Sequence, residues 1–464
     1  MKYDLLIIGG GSAAFAAALK AEGIGNKRIG IIEYGLVGGT CVNRGCIPSK
    51  SLLRAGEIFY YSGRSGYKGI HLSGRLDLPE IIRQKDKLVK ELRKKKYLDI
   101  LKAIPQIELI RGKAEFVAPD EVKVGQKKIG AKRFIIATGA RPAVPDIPGI
   151  DKVPYLTSTE ALNLTKIPRS ITIIGGRFTA LEFAQIFRHF GADVTVLQRS
   201  DRIVPEEEED ISEEMKNLLI GEGIRVYTGA KVLGVDKRRD KIITHAEVSG
   251  KSRKIVSVSL MIATGITPNT ALNIESAGVK VDGKGFVIVD SGMKTTAEHV
   301  WAAGDVTGKM PLVTVAGHQG AVAGENAVTG SQKTADYSAV PHTIFTSPQI
   351  ASVGLTEREA ESTGIKCTCR ELPMEYVPRA KAVHDTRGLI KMVAEAETGR
   401  VLGIHILSHE ASEVIHQGVL ILRNGMSIQE MAEKIDVYPT MSEMVKLCAQ
   451  SFFKDVELLS CCAE

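Results

Sequence analysis

The sequence has no apolar run that approaches the ~18 residues of a membrane span, which excludes a helical membrane protein. It has no basic stripe either. A net charge of +7 is modest for 464 residues, and Lys and Arg are scattered. The nearest thing to a basic run, Arg93-Lys94-Lys95-Lys96, lies in a helical pattern rich in Glu and Asp. Such a run reads as a solvated helix face, so neither nucleic acid nor a membrane surface is expected as a partner. Cysteine is sparse: seven residues, odd in number and mostly isolated, do not make a secreted disulfide framework and suit a reducing cytosol. No cleavable leader is expected either. The apolar start Leu5-Leu6-Ile7-Ile8 has Asp4 before it, is interrupted by glycines, and continues into a second strand. The expected location is the cytoplasm.

What is present suits ordinary globular cores: 44% apolar residues in a chain long enough for about three domains. Two βαβ openings divide it. The first runs from a strand at residues 3–8 through Gly9-Gly10-Gly11-Ser12-Ala13-Ala14 and a small-residue helix to Glu22. A second strand then ends at Glu33. Gly9, Gly11 and Ala14 make a tight turn and let the helix approach the strand. The helix N-terminus then faces a pyrophosphate, and Glu33, about 20 residues on, can bind a ribose hydroxyl. The second opening is a strand at 170–174, Gly175-Gly176-Arg177, a helix through Phe190 and a strand at 193–197. Here Arg177 replaces a glycine, and Gln198 stands where the ribose-binding acid belongs, with Arg199 and Arg202 following. A carboxylate would repel a 2′-phosphate; a neutral residue beside guanidinium groups accepts one, so NADPH is expected over NADH.

Three further strand ends punctuate the chain, at Thr138-Gly139, Thr264-Gly265 and Ala302-Ala303-Gly304-Asp305. Residues 78–104 have helical spacing. After Pro341 the texture becomes that of antiparallel strands and helices, a separate α+β unit. The fold class expected is α/β, with two Rossmann-like dinucleotide-binding domains and a C-terminal α+β domain.

Cysteines concentrate the chemistry. Cys41-Val42-Asn43-Arg44-Gly45-Cys46 is followed by Lys50, and Cys461-Cys462 stand beside the C-terminus. With both nucleotide openings, both Ala-Thr-Gly turns and the Ala-Ala-Gly-Asp segment, the chain resembles the FAD-dependent pyridine nucleotide–disulfide oxidoreductases over essentially its whole length. The resemblance implies that Cys41 and Cys46 form a redox-active disulfide, Cys41 meeting substrate and Cys46 lying against the flavin. Lys50 is expected near the flavin ring, Glu182 near Lys50, and Asp305 at the ribityl and phosphate region. Thr40, Gly35, Ala114 and Val313 fall at the family's other flavin contacts. The implied domains are 1–150 and 271–339 for FAD, 151–270 for NADPH, and 340–464 for dimerisation, with the active site shared between two subunits. Independently of the resemblance, Cys46 opening a helix and Lys50 one turn on would stabilise a thiolate.

The substrate is argued from one segment. Members that reduce organic disulfides carry His-Pro-Thr and a Glu near the C-terminus; this chain reads Tyr438-Pro439-Thr440-Met441-Ser442-Glu443. A phenol that titrates near pH 10 is a poor proton shuttle for a leaving thiol, whereas reduction of a metal ion needs none. Tyr438, Tyr155, Glu443 and the ending Cys461-Cys462 resemble the branch of the family that reduces Hg(II). The implied metal ligands are Cys41, Cys46, Cys461 and Cys462, with Hg(II) arriving as thiol complexes. Many members of that branch carry an N-terminal metal-binding domain with its own Cys-x-x-Cys. Here the flavin strand begins at residue 3, so delivery is expected to rest on the tail. Two alternatives stay open: a disulfide reductase of the dihydrolipoamide dehydrogenase or glutathione reductase type, with the tail as a relay, and a flavoprotein that sequesters metal. Cys367 and Cys369 alternate on a strand without a nearby His or third Cys, and read as strand cysteines without function. Cys448 reads as core, and the acidic run at 206–210 as the opening of a helix.

Overall fold

The protein is described by a computed structural model covering residues 3–25, 27–64 and 66–455. Its contacts divide into two compact units, one drawn from residues up to 51, 79–143 and 265–336, the other from 52–78, 144–264 and residues from 337 onward.

The first unit is built on a five-stranded parallel sheet in the order Val300–Ala302, Phe134–Ile136, Leu5–Ile8, Ile29–Glu33, Ile107–Arg111. Leu5 pairs with Ile29 and Ile7 with Ile135. Leu5–Ile8 and Phe134–Ile136 are buried along their whole length, which is why they read as unbroken apolar runs rather than alternating ones. The first crossover helix, Ser12–Glu22, buries Ala13, Ala14, Ala17, Ala18 and Ala21. Helix Val313–Thr329 lies directly on it: a Cβ on Gly320 would come to 2.9 Å from the Ala13 Cα, and one on Gly324 to 2.9 Å from the Ala17 Cα. Small residues on both helices therefore set their separation. The helical stretch expected over 78–104 is interrupted. Leu78–Arg93 is α-helical, Lys94–Leu98 forms a π turn, and Asp99–Ala103 resumes the helix. The extra residue of the π turn leaves Lys94, Lys95 and Lys96 exposed and turns Tyr97 inward, edge-on to Phe15 with ring centroids 4.7 Å apart.

The second unit carries a four-stranded parallel sheet, Arg225–Tyr227, Asp193–Leu197, Ser170–Ile174 and Ser259–Ile262, beside an antiparallel meander spanning Ala230–Ser257. Its C-terminal part is a five-stranded antiparallel sheet in the order His342–Ile344, Gln349–Gly354, Val401–Ser408, Leu389–Glu395, Cys367–Pro373. Helices Ala411–Asn424 and Glu443–Gln450 bury one apolar face in a core with that sheet, including Cys448. The acidic run 206–210 sits against this sheet. Glu207 accepts from Ser352 at 2.6 Å and lies 2.6 Å from His342 Nε2, while Glu208 accepts the backbone N–H of Glu357 at 2.6 Å. Lys391, 5% exposed, is ringed by Asp210 at 2.7 Å, Glu357 at 2.8 Å and Glu208 at 3.2 Å. Three or more carboxylates around one buried ammonium hold the parallel-sheet and antiparallel-sheet parts of this unit together.

Candidate active site

The first nucleotide cradle is built from backbone that only glycine supplies. Gly9 has φ +114°, and Gly11 opens helix Ser12–Glu22 without a side-chain cap, so the amides of its first turn point outward undonated. A Cβ on Gly10 would meet Glu33 Oε2 at 2.9 Å. Instead the Gly10 N–H donates to that oxygen at 2.7 Å, and the Gly35 N–H donates to Oε1 at 2.6 Å. The carboxylate is thus fixed at the strand end with lone pairs left for a hydroxyl. Asp305 follows Gly304 (φ +82°); burial pushes its carboxyl up, and its side chain has no hydrogen-bond partner among the described residues. A mostly buried acid without a donor fits a ligand that brings hydroxyls. Thr138 and Gly139 (φ +65°) are braced by Asn269: Thr138 Oγ1 donates to its carbonyl at 2.7 Å, and its amide returns a bond to the Thr138 carbonyl at 3.0 Å. In the same unit Ala14 and Ala114 are buried, Thr40 is exposed, and Val313 begins a helix at the surface. This cradle fits FAD.

The sulfurs are brought to the cradle by Gly38 and Gly39, with φ +100° and +61°. The Gly38 N–H donates to the Gly10 carbonyl at 2.7 Å, and Asn43 Nδ2 ties the segment by donating to Val37 O at 3.0 Å and Gly39 O at 2.9 Å. Arg93 Nη1 in turn donates to Asn43 Oδ1 at 2.8 Å. Cys46 is the first residue of helix Cys46–Tyr61, at its positive end, with Lys50 one turn on. Both cysteines are free and half-buried here. The Cys41 thiol is pushed well above the ordinary range, chiefly by its hydrogen bond with Cys46, then by burial and the charge of Cys46, against a lowering by Lys50. The positive end of helix Cys46–Tyr61 and the Lys50 ammonium favour a thiolate at Cys46. Tyr97 was not legible in the sequence as a site residue. Its hydroxyl hydrogen-bonds Ser12, and its phenol is raised by burial and by the nearby charge of Cys41 and Cys46.

The second opening repeats the first with altered chemistry. Gly175 has φ +120°, and a Cβ on Gly176 would sit 2.7 Å from the Gln198 Cβ, as Gly10 sits against Glu33. Gln198 Nε2 donates to Ser200 Oγ at 2.9 Å and to the Arg202 carbonyl at 3.3 Å. Arg177 begins helix Phe178–His189 but extends to Glu206 at 2.7 Å and stays largely exposed. Arg202 lies 3.6 Å from Glu209. Arg199 is exposed with no ion-pair partner among the described residues. A buried amide beside an unpaired guanidinium fits a 2′-phosphate, and so NADPH.

The remaining predicted residues are placed as follows. Gly265 (φ +116°) belongs to the first unit, where its carbonyl accepts from the Ala143 N–H at 2.9 Å. The others belong to the second unit. Tyr155 packs against the cluster of Ile147, Val153, Ile174, Val235, Ile242, Leu260 and Ile262. Glu182, buried, accepts the Phe345 N–H at 3.0 Å, and one turn along the helix Gln185 holds Ser347 through both its donor and its acceptor. Tyr438 is half exposed and joined to Pro439 by a cis peptide bond, and Glu443 holds that loop by accepting the Thr440 N–H at 3.0 Å. Cys461 and Cys462 lie outside the described residues.

Comparison with known proteins agrees with this geometry. Residues 3–320 match the family described as pyridine nucleotide-disulphide oxidoreductase, and residues 340–449 match the dimerisation domain of the same family. The mercuric reductase of Lysinibacillus sphaericus is 44% identical over 463 residues, covering 99% of this chain and 84% of that protein. That of Streptomyces lividans is 40% identical, covering 99% and 98%. Among solved structures, the Cu(II) complex of the HOCl-induced flavoprotein disulfide reductase RclA from Escherichia coli superposes with a TM-score of 0.85 at 31% identity, covering 95% of this chain and 98% of that one. The chain belongs to the pyridine nucleotide–disulphide oxidoreductase family. It is an enzyme, an oxidoreductase whose cofactors are FAD and NADPH. No helix among the described residues is long and apolar enough to cross a membrane.

Proposed function

We propose that this enzyme reduces Hg(II) to elemental mercury, and that Cys41 and Cys46 hold the ion while it is reduced. The observation that carries the reading is this soft-donor pair, Cys46 at the positive end of a helix, in a chain 38–44% identical over nearly its whole length to proteins named mercuric reductase. When bound, FAD and NADPH supply the two electrons. Cys461 and Cys462, from the partner subunit, take Hg(II) from small thiols: each arriving thiolate displaces one departing thiol, so sulfur ligation is never lost. Transfer to Cys46 and then Cys41 repeats that exchange, with the Cys41 proton leaving on the displaced sulfur. On reduction both thiolates are released intact and the metal leaves as a neutral atom. Tyr438 and Tyr155 present hydroxyls that steady the ion or a thiolate, Glu443 holds the Tyr438 loop, and Lys50 favours the charge on the sulfurs. Glu182 fixes the segment at Phe345.

In this reading residues 1–150 and 271–339 hold FAD, 151–270 hold NADPH, and 340–464 form a homodimer that works in the cytoplasm. A disulfide reductase is the competing activity. It is disfavoured by Tyr438 standing where a proton-shuttling His is required. The test is NADPH oxidation by the purified enzyme with Hg(II) under excess small thiol, set against glutathione disulfide and lipoamide, with volatile mercury measured alongside.

A further inference from the structure

A third thiol pair lies far along the chain from the tail and the Cys41–Cys46 segment. Cys367 and Cys369 are the first and third residues of Cys367–Pro373, the edge strand of the antiparallel sheet. Alternation puts both sulfurs, and Glu371 after them, on one face of the sheet, while Leu372 on the other face enters the core. Both cysteines are half-buried. Their registered neighbours on the adjoining strand are Glu395 and Val393. They pack against an apolar wall of Ala360, Val393 and Leu402, with Leu355 and Ile365 alongside. Helix Glu357–Ser362 supplies the polar contacts: Cys367 Sγ lies 4.0 Å from the Glu357 carbonyl, and the Glu357 carboxylate hydrogen-bonds the Cys369 thiol.

The geometry decides what this pair can bind. Residues two apart on a strand have Cα atoms about 6.6 Å apart with parallel Cβ directions. A disulfide needs Cβ atoms about 3.8 Å apart, so these two cannot close one without bending the strand. A linear S–metal–S unit spans about 4.6 Å or more, twice a metal–thiolate bond of ~2.3 Å, and two sulfurs leaning toward each other from adjacent positions on one face can meet that span. Zinc requires four ligands, and no group of three or more His, Cys, Asp or Glu suited to a metal occurs among the described residues. An ion content with two soft ligands is therefore the one that fits. Its dithiolate complex is also electrically neutral, which suits a half-buried apolar wall.

We propose that Cys367 and Cys369 form a separate two-coordinate Hg(II) site on the edge of the C-terminal sheet, outside the catalytic route. Binding is ligand exchange: Hg(SR)2 and two protein thiols give the S–Hg–S bridge and two RSH, with no change of oxidation state. The choice of ion rests on the activity proposed above, since a protein that meets Hg(II) as substrate meets it at this pair too.

The test uses oxidised, FAD-loaded full-length enzyme without NADPH, in a background carrying Cys461→Ala and Cys462→Ala, so that the Cys41–Cys46 disulfide and the altered tail hold no metal. After incubation with Hg(II) and desalting in excess monothiol, about one Hg(II) per subunit should remain. Either Cys367→Ser or Cys369→Ser alone should abolish that retention, because a single thiolate has no chelate advantage over the wash thiol. Flavin content and NADPH-dependent turnover of the same Ser variants in the otherwise wild-type chain should be unchanged, which separates loss of the site from misfolding. No retained Hg(II), or retention that survives either single substitution, overturns the proposal. An enzyme that retains Hg(II) here but shows no Hg(II)-dependent NADPH oxidation would overturn the proposed activity and leave this site standing.

Discussion

Gly39 stands over Gly11 so closely that a Cβ on Gly39 would come within 2.7 Å of the Gly11 Cα. That approach fastens the sulfur-bearing segment to the mouth of helix Ser12–Glu22, where the cradle amides open. Gly39 also has φ +61°, which other L-residues adopt at a cost. Gly39→Ala combines backbone strain with overpacking against rigid backbone and should cost about 2–4 kcal/mol. Thermal unfolding and flavin absorbance check this: a lowered Tm with partial loss of FAD is expected, and wild-type values for both would contradict the packing argument.

The two sulfurs should separate spectroscopically. With Cys46 at the positive end of its helix and Lys50 one turn on, NADPH or dithionite should produce a long-wavelength thiolate-to-flavin charge-transfer band. Cys46→Ser should abolish the band, and Cys41→Ser should keep it. A band surviving both substitutions would reverse the assignment of the sulfurs.

Nicotinamide preference should rest on Arg199 more than on Arg202. Arg199 has no ion-pair partner among the described residues, whereas Arg202 is partly engaged near Glu209 and the Pro205 carbonyl. Arg199→Ala should lower kcat/KM for NADPH by ~10-fold, about 1.4 kcal/mol, and leave NADH unchanged. An equal fall with both nucleotides would place Arg199 outside the 2′-phosphate site.

The Lys391 cluster should set a pH dependence. Glu371 is pushed up to about 7, first by burial and then by its hydrogen bond with Asp210. An acid whose folded pKa is raised binds protons more tightly folded than unfolded, so its contribution to stability is fullest below the unfolded value near 4.5 and is lost as pH rises through about 7. Glu371→Gln should therefore raise Tm relative to wild type at pH 8, with the gap closing toward pH 5. Lys391→Met strands carboxylates around a buried position and should cost about 3–5 kcal/mol at neutral pH. A Lys391→Met protein as stable as wild type would remove the cluster from the account.

Much of the site was legible because its chemistry is written in short segments. The strand at 170–174, the helix ending at Glu22 and the acid at Glu33 all follow from local spacing, and the structure places them there. What escaped was the set of interactions closed over long separations. The run 206–210 read only as the opening of a helix, yet Glu207 and Glu208 are buried because His342, Ser352, Glu357 and Lys391 wait for them more than a hundred residues on. Tyr97 escaped because the π turn that carries it inward is invisible to a 3.6-residue period. The meander spanning 230–257 was also unread, since its exposed strand carries no apolar alternation.

The central claim is the substrate, and one assay addresses it most directly: NADPH oxidation by the wild-type enzyme with Hg(II) in excess small thiol, beside glutathione disulfide and lipoamide, with release of volatile mercury recorded. The account predicts Hg(II)-dependent oxidation with mercury released and little turnover of either disulfide. Turnover of a disulfide faster than of Hg(II), or NADPH oxidation without volatile mercury, would contradict it.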